Sequence, residues 1–405
     1  MQAQKIKIIK KLGKQETIDL EVNSEDHNFF ADGVVVSNSH SASYSVLTAY
    51  TIYLKFKYPQ FFLKNCLVMS KNEQKPQECI GKIIRELPHF GIEILPPSLR
   101  KKNIDFEVEG KDIRVGLSSI KGVSDKALEK LSDFNINEDS DKFSLFNAAN
   151  EAGLNITVLS SLIFAGCMDD FIKGKEDGSR AKLVLEAKCW NKFTDREKVE
   201  LVKIGSEYDY DVTKIILALK EGSILDKSGK PLMKIEGTEK RKPRIQTFLD
   251  SVEEFKQEYI YAREHQDLIN YLKENEILGF SFSSKLSDIY HSRYNNLSSI
   301  EDSIKSFEEG DHHNCMFVGL ITGFQERKSK KGKQYIWLTI SDETADATCM
   351  AFSGGEDHDN VIKKIIETND GLPKKGDIVV IKGEFKSEDL IFLDNLRILH
   401  RVEGK

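Results

Sequence analysis

The sequence is poor in the features that would place it outside the cytoplasm. It has six cysteines in 405 residues, Cys66, Cys79, Cys167, Cys189, Cys315 and Cys349, and none forms a CxxC pair. That argues against a tetrahedral zinc site and against a disulfide framework, and it fits a reducing cytoplasm. No apolar run reaches the roughly 18–20 residues that a membrane span needs, so a membrane is not expected as a partner. The opening MQAQKIKIIKKLG carries basic residues but neither an apolar core nor a small-residue cleavage site, so secretion is not expected. Positive charge is not in excess either. The 59 Lys and Arg against 65 Asp and Glu leave a net charge of −6, so the whole-chain cationic field that marks many nucleic-acid binders is missing. What is present is core-forming material: 40% hydrophobic and 31% charged residues. At roughly 150 residues per domain, that is enough for about two to four packed domains.

The first forty residues read as short strands. IKIIKKLG and TIDLEV are strand-like runs with Gly13 between them, and Asp32-Gly33 before Val34-Val35-Val36 is a hairpin signal. Strand pattern alone gives an N-terminal β-hairpin on a larger domain. Asn38-Ser39 adds a chemical reading. An Asn amide can attack its own backbone carbonyl, forming a succinimide and cleaving the chain after it. A hydroxyl directly downstream can accept an acyl group, and a nearby His can move the proton. The block from Thr17 to Ser39 resembles the C-terminal fragment of a split intein. The resemblance rests on Asp19, on the Asp26-His27 pair before Asn28-Phe29, on Gly33, on the terminal Asn38 and on Ser39 as the first residue beyond it. The penultimate residue is Ser37, where many inteins carry His. The resemblance implies trans-splicing. Ser39 would take over the partner's acyl chain, Asn38 would cyclise, and His27 with Asp26 would assist proton transfer. A separate chain would supply the N-terminal intein half.

Beyond Ser39, Ala42, Val46, Ala49, Ile52, Tyr53 and Phe56 recur at helical spacing, which predicts a buried amphipathic helix ending before Pro59. Ser39-His40, Ala42, Tyr44, Leu54-Lys55, Tyr58-Pro59 and Phe61 resemble the fingers segment of bacterial DNA polymerase III alpha subunits. His40, Lys55 and Lys57 could face phosphates there, and a solvated helix face accounts for the lysines equally well. The resemblance continues through GIEILPPSLRKKNIDFEVEGKDIRVGLSSIKGV. Phe106 to Val115 alternates like a hairpin with Glu109-Gly110 at its tip, and a helix is predicted from Asp125 to Leu131. Lys121 and Gly122 precede that helix. Backbone N–H groups of such a turn can hold a phosphate, and an ordinary helical turn fits as well. Ser124 stands where the family usually has Gly. FSLFNAANEAGLNITVLSSLIFAGCMDDF resembles the family's helix-hairpin-helix module, keeping its apolar frame. Ile156-Thr157 and Phe164 stand where Lys or Arg are common, which implies weaker DNA contact or a scaffold role.

From Lys173 to Lys256 the resemblance fades. Charged helical stretches, REKVELVKI and TKIILALKEG, precede a polar linker with Lys240, Arg241, Lys242 and Arg244, which reads as a solvated run. Gln246-Thr247-Phe248-Leu249 stands nearest to the family's sliding-clamp-binding peptide. A helix is predicted from Phe255 to Asn275, followed by ENEILGFSFSSKLSDIY. In that segment Glu276, Leu278, Gly279, Phe280 and Leu286 match the family and read as structural. Residues from His313 to Leu399 show five strands with a helix before the fourth, the order of an OB-fold. Arg327, Lys328, Lys330, Lys331 and Lys333 crowd the first hairpin loop, and Tyr335 and Trp337 follow at alternate positions. Cations for phosphates beside rings for base stacking suit single-stranded DNA. The alternative is that both rings belong to the barrel core.

Polymerase chemistry needs paired carboxylates around two Mg²⁺ ions. The family's PDxDxDF-type run is absent, so no cofactor is expected on this chain, and Mg²⁺ is expected in a partner's palm. These readings predict a multidomain α+β chain. Its parts are a β-rich split-intein fragment (1–38), a mainly helical fingers segment (39–110), a helix-hairpin-helix module (111–172), a divergent helical and linker region (173–256), a connecting helical segment (257–311) and a C-terminal OB-fold β-barrel (312–405). The resemblances imply the C-terminal half of a replicative DNA polymerase, joined by trans-splicing at Asn38/Ser39 to an N-terminal half that carries the palm and the intein N-fragment. The implied partners are that half, primer–template and single-stranded DNA, and a sliding clamp. A free-standing DNA-binding accessory protein and an inactive polymerase remnant are the alternatives.

Overall fold

A computed structural model describes residues 28–31, 34–37, 39–132, 134, 136–137, 139–172, 178–294, 297–310, 313–329, 332–354 and 360–401. The chain divides into two compact units, Met1–Phe62 and Leu63–Lys405.

In the first unit, strands β1 (Asn28–Ala31) and β2 (Val34–Ser37) pair antiparallel. Ala31 lies opposite Val34, which leaves two residues to connect the strands. Asp32-Gly33 lies outside the described residues, as do Asp19, Asp26, His27 and Asn38. Helix α1 (Ser39–Lys57) starts at Ser39 and stops two residues before Pro59, which disfavours helix in the residue ahead of it. The expected burial of its apolar stripe is not observed. Tyr44 is 63% and Phe56 71% exposed, and Val46, Leu47, Tyr50, Ile52, Tyr53 and Leu54 are exposed as well. Among the residues of this helix whose burial is described, Tyr44 to Lys57, none is buried. Helix α2 (Pro59–Met69) follows and buries Leu63 and Leu67.

The second unit continues with α3 (Pro76–Glu86) and a three-stranded sheet of β3 (Ile94–Leu95), β4 (Glu107–Glu109) and β5 (Asp112–Arg114), in the order β3-β5-β4. β3 stops at Pro96-Pro97, and β4–β5 is the hairpin expected around Glu109-Gly110. Next come α4 (Asp125–Ser132), α5 (Lys142–Glu151) and α6 (Ile156–Phe164). The segment where resemblance fades is not a loose connector. Helices α7 (Arg180–Trp190), α8 (Asp195–Ile204) and α9 (Val212–Lys220) pack into an aromatic core. In it Phe143 stacks on Trp190 at 4.3 Å and Phe193 on Phe248 at 4.5 Å between ring centroids. Side-chain caps start α5, α6, α7, α8 and α9 at Asp141, Asn155, Ser179, Thr194 and Asp211. Each satisfies N–H groups that the helix itself leaves open.

The helix expected from Phe255 to Asn275 is two helices, α10 (Arg244–Glu264) and α11 (Gln266–Leu278), which break at His265. The 256/257 boundary therefore falls inside α10. Gln246-Thr247-Phe248-Leu249 forms the start of α10, with Phe248 only 1% exposed. A clamp-binding peptide must offer its aromatic ring to another protein. Here the ring is locked in the chain's own core, so that assignment is corrected. The linker reading holds for Lys240, Arg241 and Lys242, which are exposed, whereas Arg244 turns back and pairs with Glu197.

Gly279 ends α11 with φ +89, and a Cβ there would stand 2.1 Å from the Gln77 carbonyl oxygen, so α3 and α11 approach closely only because both sides are bare. Helices α12 (Leu286–Tyr290) and α13 (Ile300–Glu308) lead to the barrel. Its strands are β6 (Asn314–Lys328), β7 (Gln334–Ser341), β8 (Asp346–Phe352), β9 (Ile378–Ser387) and β10 (Leu390–His400), with α14 (Val361–Asn369) between β8 and β9. The strands close in the order β10-β8-β7-β6-β9. The long β6 serves two partners, β9 over Asn314–Leu320 and β7 over Leu320–Lys328, with a register shift between Ile321 and Gly323. Closure removes open sheet edges. Acceptors in the β7–β8 turn tie the barrel to the helices before it. Asp342 takes the Ile300 N–H at 2.8 Å, Glu343 takes the Ser287 hydroxyl at 3.2 Å, and Arg85 pairs with Asp346 at 2.8 Å. Among the described residues no helix is long and apolar enough to cross a membrane.

Candidate nucleic-acid interface

Strand β7 decides where the two aromatics point. Ile336, Leu338 and Ile340 are buried in the barrel, so the alternate residues Tyr335, Trp337, Thr339 and Ser341 line its outside. Tyr335 and Trp337 are therefore not barrel core. Across the sheet, Tyr335 lies 6.0 Å from Phe352, and Phe352 meets Phe392 edge-on at 4.9 Å. Arg327 lies over the Trp337 ring at 5.2 Å, and Lys386 over Phe392 at 5.6 Å. The result is an outward face of four half-buried rings, three of them in mutual contact, with Arg327 over Trp337 and Lys386 over Phe392. Phe352 and Phe392 were not singled out in the sequence. The signal was there, since Phe352 alternates with the buried Cys349 and Ala351, and Phe392 with the buried Ile391 and Leu393.

The loop beside this face turns tightly, the Ser329 N–H donating to the Lys333 carbonyl at 2.8 Å. Lys328 and Lys333 are exposed, whereas Lys330 and Lys331 lie outside the described residues. Arg327 also donates from Nε to Gln325 Oε1 at 2.9 Å, which holds its guanidinium over the ring. Lys386 is shared with Glu384 at 2.6 Å.

The second cluster is the turn before α4. Lys121 is exposed, and Gly122 has φ +94, a backbone conformation that other residues rarely adopt. The Lys121 N–H donates to the Ile277 carbonyl at 3.0 Å, so it is not available to a phosphate. The N–H groups of Gly122 and Ser124 make no backbone hydrogen bond among the described residues. The nest is thus narrower than the sequence suggested.

A buried charge network sits behind α6. The Arg180 side chain, 2% exposed, donates from Nε and Nη2 to Asp169 at 2.8 and 2.6 Å, and from Nη1 to the Phe164 carbonyl at 3.1 Å and to Glu274 Oε1 at 2.6 Å. Burial works against its charge, but Asp169 and Glu274 more than offset that and hold the guanidinium charged more firmly than usual. The other Glu274 oxygen accepts from Ser281 Oγ and from the Phe282 and Ser283 N–H groups at 2.7, 2.9 and 3.2 Å. The buried charge of this segment is therefore structural scaffolding for the turn and α6. Elsewhere Lys142 pairs with Glu186, whose carboxyl burial pushes up against the pull of that lysine.

His40, Lys55 and Lys57 lie in the first unit. Lys57 lies over Tyr53 at 5.2 Å and Tyr58 at 5.9 Å, Lys55 is half-buried, and nothing is described of the His40 side chain. Among the described residues, no three His, Cys, Asp or Glu side chains come together to hold a metal.

A helix-hairpin-helix family model matches residues 91–182, which contain the Gly122 turn and α6. Over most of its length the chain is similar to DNA polymerase III alpha subunits. It is 27% identical to that of Aquifex aeolicus over 360 residues, 87% of this chain and 24% of the relative. It is 27% identical to that of Campylobacter jejuni over 382 residues, 92% of this chain and 27% of the relative. A shorter stretch of 96 residues, 23% of this chain and 10% of the relative, is 40% identical to that of Mycoplasma genitalium. The chain thus spans about a quarter of the length of the first two.

Proposed function

We propose that the chain is the C-terminal part of a replicative DNA polymerase, completed by a separate palm-bearing half. The observation that carries this reading is α1, whose apolar residues from Tyr44 to Phe56 are exposed. A contiguous apolar surface of that kind marks a docking site. Template-directed nucleotidyl transfer belongs to the assembled enzyme, with Mg²⁺ held by the partner's carboxylates. The described residues of this chain do not fit a metal, so no step through Mg²⁺ is assigned to them. This half contributes contacts to DNA. The Gly122 turn faces the backbone of primer–template, and the OB-type barrel holds single-stranded template on its ring face.

Joining proceeds by trans-splicing. The Ser39 hydroxyl attacks the acyl group that the partner carries as an ester or thioester on the first residue of its intein half; the new ester to Ser39 forms as that bond breaks, and the freed hydroxyl or thiol of the intein half takes the proton. The Asn38 amide nitrogen then attacks its own carbonyl, breaking the bond to Ser39 and releasing residues 1–38 as a succinimide-ended peptide. The freed Ser39 amine takes the acyl group from its own hydroxyl and forms a peptide bond. His27 with Asp26 moves the protons, and Asp19 completes the set. Co-expression with a palm-bearing chain fused to an intein N-half, followed by intact-mass analysis, tests this. Asn38→Ala should block release of the 1–38 peptide, and Ser39→Ala should abolish the branched ester. A ligated product in either variant refutes these roles. A second reading, a free-standing DNA-binding accessory protein, is favoured by the ring face being complete within this chain. It predicts single-strand binding and no gain of synthesis on adding a palm-bearing half.

A further inference from the structure

Between α9 and α10 the chain is built rather than loose. Gly222, with φ +72, follows α9, and the Ser223 N–H donates back to the Ala218 carbonyl at 3.0 Å. Residues 224–232 then form a short hairpin. The Leu232 N–H donates to the Ile224 carbonyl at 2.8 Å, and the Asp226 N–H to the Lys230 carbonyl at 2.6 Å. The Asp226 carboxylate fixes the tip, accepting from the Ser228 N–H and hydroxyl at 2.8 and 2.6 Å and from the Lys230 N–H at 3.1 Å. Leu225 and Pro231 face each other between the two hydrogen-bonded pairs, where cross-strand side chains come closest. Ile224 is buried, so by alternation Leu225 and Pro231 share the outer face, with Leu225 54% exposed. Ile235 joins them. A Cβ on Gly222 would stand 2.8 Å from Ile235 Cδ1 and 3.9 Å from Pro231 Cγ, and Ile235 too is exposed.

The same segment carries the exposed cations Lys227, Lys230, Lys234, Lys240, Arg241 and Lys242 against two exposed carboxylates, Glu236 and Glu239. Asp226 is engaged by the tip and by Arg196 at 3.6 Å. Lys242 reaches Asp250 at 3.7 Å, and the other five cations make no ion pair among the described residues. A chain of net charge −6 thus gathers positive charge in the one segment that also holds out a fixed aliphatic face. We infer that this face, with Leu225, Pro231 and Ile235 at its centre, docks an acidic peptide segment of a partner protein, one that carries aliphatic side chains between its carboxylates. An apolar centre with a charged rim is the anatomy of a protein interface, and the complementary charge steers the encounter. A nucleic-acid strand fits less well. Residues 221–243 contain no Phe, Tyr or Trp on which a base could stack, and aliphatic side chains gain nothing from phosphates. The segment also lies outside residues 91–182, the helix-hairpin-helix match, so its occupant is separate from the DNA contacts proposed above.

The test is anisotropy of a labelled peptide in which single Leu residues separate pairs of Asp or Glu, titrated with the full chain. A second peptide carries Ser in place of each Leu. The Leu peptide should bind about tenfold more tightly than the Ser peptide, and both should weaken as salt rises. Leu225→Ser should lower affinity for the Leu peptide about five- to tenfold, whereas Leu225→Met should keep it. Lys227→Glu, Lys230→Glu and Lys234→Glu together should abolish binding of both peptides and leave oligo-dT and duplex binding unchanged. All four positions are exposed, and an unchanged melting midpoint verifies folding of the variants. Equal affinity for the two peptides, or full affinity for the Leu peptide in Leu225→Ser, overturns the inference. So does a charge-reversed chain that loses oligo-dT or duplex and keeps the peptides, because the segment then contacts nucleic acid instead.

Discussion

Replacing Trp337 with Ala offers the sharpest test of the barrel face. The ring lies outside the barrel between the buried Ile336 and Leu338, so its removal leaves the core untouched. Stacking one base on an aromatic ring contributes about 1–3 kcal/mol. In the free chain Arg327 already occupies that ring at 5.2 Å, and displacing an exposed cation from a ring costs about 0.5–1 kcal/mol. The net contribution is about 0.5–2 kcal/mol, so Trp337→Ala should weaken oligo-dT binding roughly two- to thirtyfold. Intrinsic fluorescence gives a direct assay, because the chain has only two tryptophans. Trp190 is fully buried, stacked on Phe143 and donating from Nε1 to Asn147 at 3.0 Å. Quenching on adding oligo-dT must therefore come from Trp337. The control is Leu338→Ala, a core cavity that should lower stability by about 2–5 kcal/mol while the folded fraction keeps its affinity. Undiminished binding by Trp337→Ala, or quenching that persists in Trp337→Phe, refutes the assignment of this face.

Other outcomes follow from the packing. Glu274→Ala removes one of the two carboxylates on the buried Arg180 guanidinium and the acceptor of the Ser281, Phe282 and Ser283 donors, and should cost about 3–5 kcal/mol in urea unfolding. Phe248→Ala should likewise cost about 3–5 kcal/mol, because the ring stacks on Phe193; a variant of wild-type stability would reopen its role as a clamp-binding side chain. Burial raises the Asp211 carboxyl, but hydrogen bonds from Lys182 and Thr213 outweigh it and bring it from the ordinary 3.8 to about 2. Its contribution, about 2 kcal/mol, is present above pH 4 and disappears as pH falls from about 4 to about 2. Unfolding at stepped pH should show this acid limb flattened in Lys182→Met, whose Nζ no longer meets Asp211 at 2.6 Å. Phe56→Ser, at an exposed helical site, should leave stability within about 0.5 kcal/mol in a thermal melt, yet weaken capture of the palm-bearing half.

Local pattern was enough for several elements. The five barrel strands and the helix before the fourth were legible because their period-two alternation and turn residues act over a few positions. So were the β4–β5 hairpin and the stop of α1 before Pro59. From Lys173 to Lys256 the helical stretches REKVELVKI and TKIILALKEG were legible and form α8 and α9, but the packing of this segment was not. Its charged side chains look solvated until Arg180, Lys182, Glu186 and Asp211 are seen paired in the interior, Glu186 with Lys142 from α5. A buried ion pair has no sequence period, since its partners come from different helices. The break at His265 was missed for a similar reason, as helical spacing runs through it uninterrupted.

By itself, the sequence determined most of the strands and helices and which residues carry charge beside aromatics. These follow from side-chain periodicity and from chemistry between neighbours. Tertiary structure alone decided that Tyr335 and Trp337 face outward with Phe352 and Phe392, because strand parity relative to the core is set by barrel closure. It alone decided that Phe248 is withdrawn into the core. It also decided that Lys273 stands beside Phe164 and that Ile277 meets the turn before α4, because only the packing of α11 brings residues so distant in sequence together.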